Sequence, residues 1–257
     1  MSTTVPTAPI QESLPTASAK PDLPLYAGPF AISGGRWLVV VAACAVAFAQ
    51  LSLLPIPGGS DLELWVHAIL FPLIPLLALA WAAPRGWTQL FRKVRARQVL
   101  QMLGFAALNL TVSLVAAITL NGVIGANANP AGNLLAEATG PERLNFLAAT
   151  IPQLLGEELI TILPLLALMS VLVRRLRWSR GAALAVAWIA TAVMFGLLHL
   201  PTYGWNVLQC LVFIAVARLF LTLAYVVTRN LWVSTGAHIL NDWAMFSVSM
   251  LAPAAFI

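Results

Sequence analysis

The chain has 257 residues, of which 60% are hydrophobic and only 9% are charged. A soluble domain usually carries about 25% charged residues, so this composition and a mean hydropathy of +0.89 exclude an ordinary soluble protein. The net charge of +5 does not indicate nucleic-acid binding, because the sequence contains no basic, aromatic-rich soluble module. We therefore expect an all-α, polytopic membrane helix bundle whose partner is the lipid bilayer.

The N-terminal segment differs in composition from the rest. Residues 1–29 are rich in Ser, Thr, Pro and Ala, and Lys20 is their only basic residue. The segment lacks the basic start and apolar stretch of a signal peptide. We expect residues 1–35 to be a disordered cytoplasmic tail and residues 36–257 to be a transmembrane helical domain.

Apolar runs of membrane-spanning length follow the tail. A spanning helix needs about 20 residues. The candidate spans are Trp37–Ile56, Trp65–Ala83, Val99–Ile124, Asn145–Val173, Gly181–Leu200, Asn206–Val227 and Leu231–Leu251. Residues 57–61 form a turn between the first two, and the segment 87–97 is predicted to lie on the membrane surface. The pattern predicts about seven transmembrane helices, within a range of six to eight.

The charges between the spans predict an orientation. Segment 84–98 holds five Lys or Arg residues and segment 174–180 holds four Arg residues, with no acid in either. The alternate loops hold four acidic residues and a single basic one, Arg143. By the positive-inside rule, the Arg-rich loops and the N-terminus are cytoplasmic. We expect an integral protein of a bacterial inner (plasma) membrane.

Polar side chains inside the spans are the candidates for function. Glu157 and Glu158 stand together near the middle of the fourth span, where a carboxylate costs about 2.5–3.5 kcal/mol on insertion scales. Neighbouring residues point about 100° apart around a helix, so one glutamate can face a cavity and the other a supporting partner. The later spans carry further polar groups. These are His199, Arg218, His238, Asn241 and Asp242.

Three of these elements resemble the motifs of a known family. Glu157-Glu158, then Phe195-xxx-His199, then His238-xxx-Asp242 are similar in order and approximate spacing to the motifs of the CPBP intramembrane proteases. That family contains the CAAX prenyl endopeptidases and the Abi proteins linked to bacteriocin processing and self-immunity. The resemblance covers roughly residues 151–245, and it implies a catalytic core at about 145–250.

The resemblance implies roles for individual residues. Glu157 and His199 would activate a water molecule, and His238 with Asp242 would stabilise the oxyanion, which is the chemistry of an intramembrane endopeptidase acting on a membrane-associated peptide or protein. Glu158 would be a supporting catalytic carboxylate. Asn241, Arg218 and Phe195 are further supporting candidates.

One position departs from the family pattern. The first motif of the family usually continues to an arginine four residues after the second glutamate, and here that position is Ile162. Arg218 lies deep in the sixth span, too far from its end to reach water fully. We expect Arg218 to supply the missing cation to Glu158.

Several alternatives stay open from the sequence. Glu157, His199 and His238 also match a three-ligand catalytic zinc set, and the sequence does not decide between metal-dependent and metal-free hydrolysis. A non-catalytic immunity or membrane-chaperone protein of the same fold is a second function, and a proton-coupled transporter is a third. Hydropathy also places His199 and His238 at different depths. A shared site would require a later fifth helix or non-helical backbone at Pro201–Gly204 buried within the bundle.

Overall fold

The structure, a computed structural model, describes residues 22–53 and 60–251. All regular secondary structure in these ranges is helical, which confirms the all-α prediction. Most of the predicted turn at 57–61 lies outside the described residues, as do residues 1–21 of the expected tail. The α-helices are α1 (Gly34–Leu53), α2 (Ser60–Ala82), α3 (Ala96–Ile124), α4 (Pro130–Glu137), α5 (Gly140–Ser170), α6 (Arg180–Leu198), α7 (Val207–Gln209), α8 (Val216–Thr228) and α9 (Leu231–Leu251).

Six helical runs in the described part of the chain are long and apolar enough to cross a membrane. They correspond to the first six predicted spans. Helix α9 has 21 residues but falls outside this group, because His238, Asn241 and Asp242 lower its hydropathy. The polytopic helix bundle is therefore confirmed with six candidate spans, and the seventh predicted span, α9, is not among them.

Helix α5 is the centre of the bundle. About 72% of the most apolar 18-residue stretch of this span is buried within the protein. In the other five candidate spans, the buried share of the corresponding stretch is 11–39%. It packs against α1, α2, α6 and α9. Its start is fixed by Glu142, whose carboxylate accepts hydrogen bonds from the Thr139 amide and hydroxyl, both at 2.7 Å. The two glutamates thus lie on the helix with the most protein around it.

Residues 22–33, which precede the domain boundary expected at residue 36, pack against the bundle. Leu25 and Ile32 are buried in the same core as α1, α2 and α5. Arg180 at the start of α6 contacts Asp22, with Nε 2.5 Å from Oδ1, and Tyr26 donates a hydrogen bond to the same carboxylate. Residues 22–33 therefore pack against the helices instead of extending away from them.

Two π-helical segments interrupt the regular helices. Val171–Arg175 ends α5, and Cys210–Ala215 joins α7 to α8. The second segment packs against α6 at Gly196, where a Cβ atom would lie 2.6 Å from the Cys210 carbonyl oxygen and 2.9 Å from the Ala215 Cβ. Only glycine permits this approach, so the end of α6 is held close to the chain that leads into α8.

The segment predicted to lie on the surface at 87–97 is divided between different structures. Trp87–Leu90 forms a 3-10 helix in which Leu90 is fully buried, and α3 already begins at Ala96. An amide pair then ties this connection to the bundle, since Asn230 Oδ1 accepts from the Arg92 amide at 3.0 Å. Leu90 therefore enters the core, whereas residues 92–97 of the same segment are exposed.

Candidate active site

The two adjacent glutamates have different environments, as the helical rotation between them requires. The Glu158 side chain has no solvent exposure, and Arg218 Nη2 lies 2.7 Å from its Oε1. Glu157 keeps 14% of its side-chain surface exposed and accepts a long hydrogen bond of 3.4 Å from Gln153 Nε2. Glu158 is therefore committed to a buried ion pair, and Glu157 is the glutamate that keeps exposed surface.

Arg218 supplies Glu158 with the cation that Ile162 cannot provide, although Arg218 belongs to α8 and not to α5. Its side chain is completely buried. Its Nε donates to Thr222 Oγ1 at 3.2 Å, and the guanidinium carbon lies 4.7 Å from the centre of the Phe195 ring. The Nη2 atom is close to Glu158, but its N–H direction falls outside hydrogen-bond geometry, so we describe the contact as an ion pair. The sequence-based pairing of Arg218 with Glu158 is confirmed.

His238 connects the glutamates to the third motif. Its Nδ1 lies 3.0 Å from Glu158 Oε1, and its Nε2 lies 3.8 Å from Glu157 Oε2 and 3.7 Å from Asp242 Oδ1. A carboxylate only accepts hydrogen bonds, so Nδ1 carries a proton and donates it to Glu158. The 3.5 Å approach of Arg218 Nη1 to the same nitrogen is then a contact between two donors. The Nε2 atom is left to face Glu157 and Asp242.

A polar chain that sequence reasoning missed supports Asp242 from α3. Asn109 is fully buried, and its Nδ2 donates to Asn241 Oδ1 at 2.9 Å. Asn241 Nδ2 in turn donates to Asp242 Oδ1 at 2.9 Å. A lone asparagine within an apolar span was the only sequence signal for Asn109, because polar groups in such spans usually find a partner inside the bundle. The structure thus makes Asn241 a link between α3 and Asp242.

His199 lies beside this cluster but does not join it directly. It caps α6 at the C-terminal end, and its Nδ1 lies 2.9 Å from the Phe195 carbonyl oxygen. Among the described residues it makes no hydrogen bond or ion pair with Glu157 or His238. Its ring stacks on Tyr203, with centroids 6.4 Å apart, and Tyr203 interacts electrostatically with Asp242 and Glu157. The buried Tyr203 ring therefore contacts His199 and lies near the carboxylates of Asp242 and Glu157.

Non-helical backbone begins at His199, directly after α6. Residues 199–205 form turns, as one of the two sequence-based alternatives required. Only Tyr203 in this segment is buried, whereas Pro201, Thr202 and Gly204 are exposed, so the expectation of a wholly buried segment was wrong. The Tyr203 carbonyl accepts from Asn127 Nδ2 at 2.9 Å, which satisfies the backbone from the α3–α4 connection.

The arrangement does not provide the three-ligand metal set that the sequence left open. In the part of the chain that the structure describes, no group of three His, Cys, Asp or Glu side chains is placed to hold a metal ion. As they stand, Glu157, His199 and His238 therefore do not fit a common zinc ion.

Comparison with known proteins supports the resemblance found in the sequence. Residues 139–244 match the family model Rce1-like, described as type II CAAX prenyl endopeptidase Rce1-like. The matched segment is less than half of the chain, but it contains both glutamates, both histidines and Asp242. No match was found among curated proteins or solved structures. The resemblance to the CPBP/CAAX protease family is confirmed over this segment, and with six apolar helices it supports an integral membrane protein.

Proposed function

Since residues 139–244 match the Rce1-like family model, we propose that the chain is an intramembrane endopeptidase that hydrolyses a peptide bond in a membrane-associated peptide or protein. The observation that carries the proposal is the difference in burial and ion pairing between Glu157 and Glu158. Glu158 is neutralised by Arg218 with no exposure, and Glu157 remains accessible beside His238. A structural acid pair has no need of one solvent-reachable member at this depth.

Glu157 is the proposed general base. Its Oε2 is 3.8 Å from His238 Nε2, longer than a hydrogen bond, so the oxygen keeps a lone pair for a water molecule. In the proposed step, Glu157 takes a proton from water, and the hydroxide oxygen forms a bond to the peptide carbonyl carbon. The carbonyl electron pair moves onto oxygen and gives a tetrahedral oxyanion. When the C–N bond breaks, Glu157 returns the proton to the leaving amine.

His199 is the proposed second contact for the attacking water. The Phe195 carbonyl only accepts hydrogen bonds, so the His199 proton is on Nδ1, and Nε2 of the neutral ring is an acceptor. Water can then donate one proton to Glu157 and the other to His199. This requires a water molecule in the space beside Tyr203 that separates the two side chains.

His238 is the proposed oxyanion partner. When both ring nitrogens are protonated, Nδ1 donates to Glu158 and Nε2 is free to donate to the developing oxyanion. Asp242 lies 3.7 Å from Nε2, and Asn241 holds the Asp242 carboxylate by a 2.9 Å hydrogen bond. Glu158, Arg218 and Phe195 are positioning residues in this scheme, because they act on His238 and do not touch the reacting atoms.

The proposed location is the inner membrane of a bacterium with a cytoplasmic N-terminus. Support comes from the Arg-rich ends of α5 and α6 and from the basic segment before α3, which lie on one side by the positive-inside rule. In this orientation the residues after α6, including Tyr203, are at the opposite side of the membrane. Water would then reach Glu157 from that side.

The test compares wild type with Glu157→Gln, which keeps the shape of the side chain but removes the base. The purified proteins in nanodiscs are given a fluorogenic farnesylated peptide ending in a CAAX sequence, and new N-termini are mapped in membranes of cells expressing each form. We expect cleavage to fall about 10²–10⁴-fold, with unchanged expression and melting temperature. The exposed Glu137→Gln variant on α4 is the matched control and should cleave like wild type.

The same comparison distinguishes the other functions. Identical new N-termini in wild type and Glu157→Gln would overturn the protease proposal. Immunity or partner stabilisation retained by the variant, with no cleavage by wild type, would identify a non-catalytic protein. Loss of pH-driven proton flux in vesicles, with no cleavage by wild type, would identify a transporter.

A further inference from the structure

A groove distinct from the candidate active site runs along the bundle near the Arg-rich ends of the helices. Its volume is about 570 Å³, within the roughly 300–1,000 Å³ of small-molecule sites. It is formed by α1, the C-terminal part of α5 and the middle of α6. Apolar side chains such as Leu38, Val41, Leu168 and Met194 supply much of its surface. None of the proposed catalytic or positioning residues lines it.

Two guanidinium groups lie at one end of this groove. Arg174 and Arg175 both line it, and both are exposed. Arg174 Nη1 donates to the Ile32 carbonyl oxygen at 2.9 Å, which fixes the side chain without neutralising it. Arg175 packs over Gly34, where its Nη2 would be 2.8 Å from an added Cβ. Within residues 22–53 and 60–251, neither arginine has a carboxylate partner, so two positive charges border an apolar groove.

Trp37 lies in the wall of the groove and is only 3% exposed. Its indole Nε1–H has no hydrogen-bond acceptor in the described part of the chain, but the nitrogen itself is buried out of reach of the groove, so the ring contributes apolar surface. The two arginine charges and the apolar walls are therefore the features that an occupant must match.

We propose that the groove binds an anionic phospholipid from the leaflet in which the Arg-rich helix ends lie. The head-group phosphate contacts Arg174 and Arg175, and an acyl chain lies along Leu38 and Met194. This occupant has the two properties that the groove requires, which are a negative charge for the arginines and a hydrocarbon chain for the apolar walls. Residues 1–21 are a poorer match, since they carry one acid and one base and offer no net negative charge.

The test measures lipid retention by native mass spectrometry of the full chain in detergent. Phosphatidylglycerol and phosphatidylcholine of the same acyl length are titrated onto wild type and onto the double variant Arg174→Gln/Arg175→Gln. We expect wild type to prefer phosphatidylglycerol and the double variant to bind it about tenfold more weakly, with phosphatidylcholine unaffected. Arg95→Gln/Arg97→Gln, which removes the same charge from an exposed segment, is the matched control and should bind like wild type.

A second variant tests the groove itself. Ala190 lines the groove from an exposed position on α6, so Ala190→Trp should fill the groove without disturbing the core. We expect it to weaken retention of both lipids while the melting temperature of the lipid-free protein stays unchanged. Equal binding of phosphatidylglycerol by wild type and the arginine double variant would overturn the proposal. So would a photo-crosslink from the groove to residues 1–21 that persists in excess phosphatidylglycerol.

Discussion

Arg218 Nη2 lies 2.7 Å from Glu158 Oε1, and neither side chain has any exposed surface. The two residues come from α8 and α5, so the ion pair joins elements that are far apart in sequence. The Phe195 ring covers the guanidinium from α6, and His238 reaches the same carboxylate oxygen from α9. Four helices thus meet at one buried charge pair.

Removing Arg218 should destabilise the protein far more than removing both charges together. We expect Arg218→Met to lower the free energy of unfolding by about 3–5 kcal/mol, because it leaves Glu158 buried without a cation. Glu158→Gln/Arg218→Met should recover most of that loss. Unfolding in mixed detergent micelles measures both, with exposed Arg97→Met as the control. If the double variant is no more stable than Arg218→Met, the charge pair does not explain the effect.

Asn109 should affect the reaction without contacting the substrate. Asn109→Leu removes the donor that holds Asn241, so the Asp242 carboxylate loses its fixed position. We expect kcat to fall about two- to tenfold with KM unchanged, from the roughly 0.5–1.5 kcal/mol of a net hydrogen bond. Kinetics on the fluorogenic peptide measure both constants. Thr111→Val, at an exposed position on the same helix, is the control.

A purely structural role for Asn109 would give another result. In that case, the amount of folded protein would fall, and the kcat of the folded fraction would equal that of wild type. Dividing the maximal rate by the concentration of folded protein separates the two outcomes.

The stability contributed by Asp22 should disappear in acid. Partial burial raises the pKa of Asp22, but hydrogen bonds from Tyr26, Arg180 and the Leu23 amide outweigh it, so the pKa lies below its usual value. A carboxylate whose pKa is lowered by folding stabilises the folded state at pH values above its unfolded pKa, about 3.9. It loses that contribution as the pH falls below this value and through the folded pKa. At pH 6, wild type should therefore have a higher free energy of unfolding than Asp22→Asn, by about 0.2–1 kcal/mol for a largely exposed pair. Its melting temperature should be higher accordingly.

Melting temperatures measured by intrinsic fluorescence between pH 3 and pH 8 test this expectation. The difference between wild type and Asp22→Asn should shrink below pH 4. A difference that stays constant across the range would show that the Asp22 charge is not responsible. Asp61→Asn, which replaces an exposed carboxylate on α2, is the control for the effect of low pH on a carboxylate outside this ion pair.

Much of the fold and part of the site followed from the sequence for physical reasons. Apolar runs of sufficient length define spans, and the 100° rotation between Glu157 and Glu158 required different surroundings for each. The depth of Arg218 required a buried partner, and Glu158 is that partner. These inferences depend on local properties that the order of residues determines.

Other parts could not be predicted because they depend on tertiary contacts. Nothing in the residues around Asn109 indicates that α3 packs against α9 with Asn241 opposite. Leu25 and Ile32 lie in a segment rich in proline, and only the core that they enter makes them ordered. The π-helical segment 210–215 and its contact at Gly196 also have no local signature, since the backbone register there is set by packing against α6.

The origin of the cation has a consequence for how the protein is made. An arginine at position 162 would enter the membrane with Glu158 on one helix, but Arg218 is synthesised 60 residues later. Chains are made from the N-terminus, so α5 exists before α8 can neutralise it. Until then its carboxylate is unpaired in the bilayer, at about 2.5–3.5 kcal/mol on insertion scales. The Glu158 carboxylate on α5 is therefore in place first, and it becomes neutralised only when α8 inserts and brings Arg218 to it.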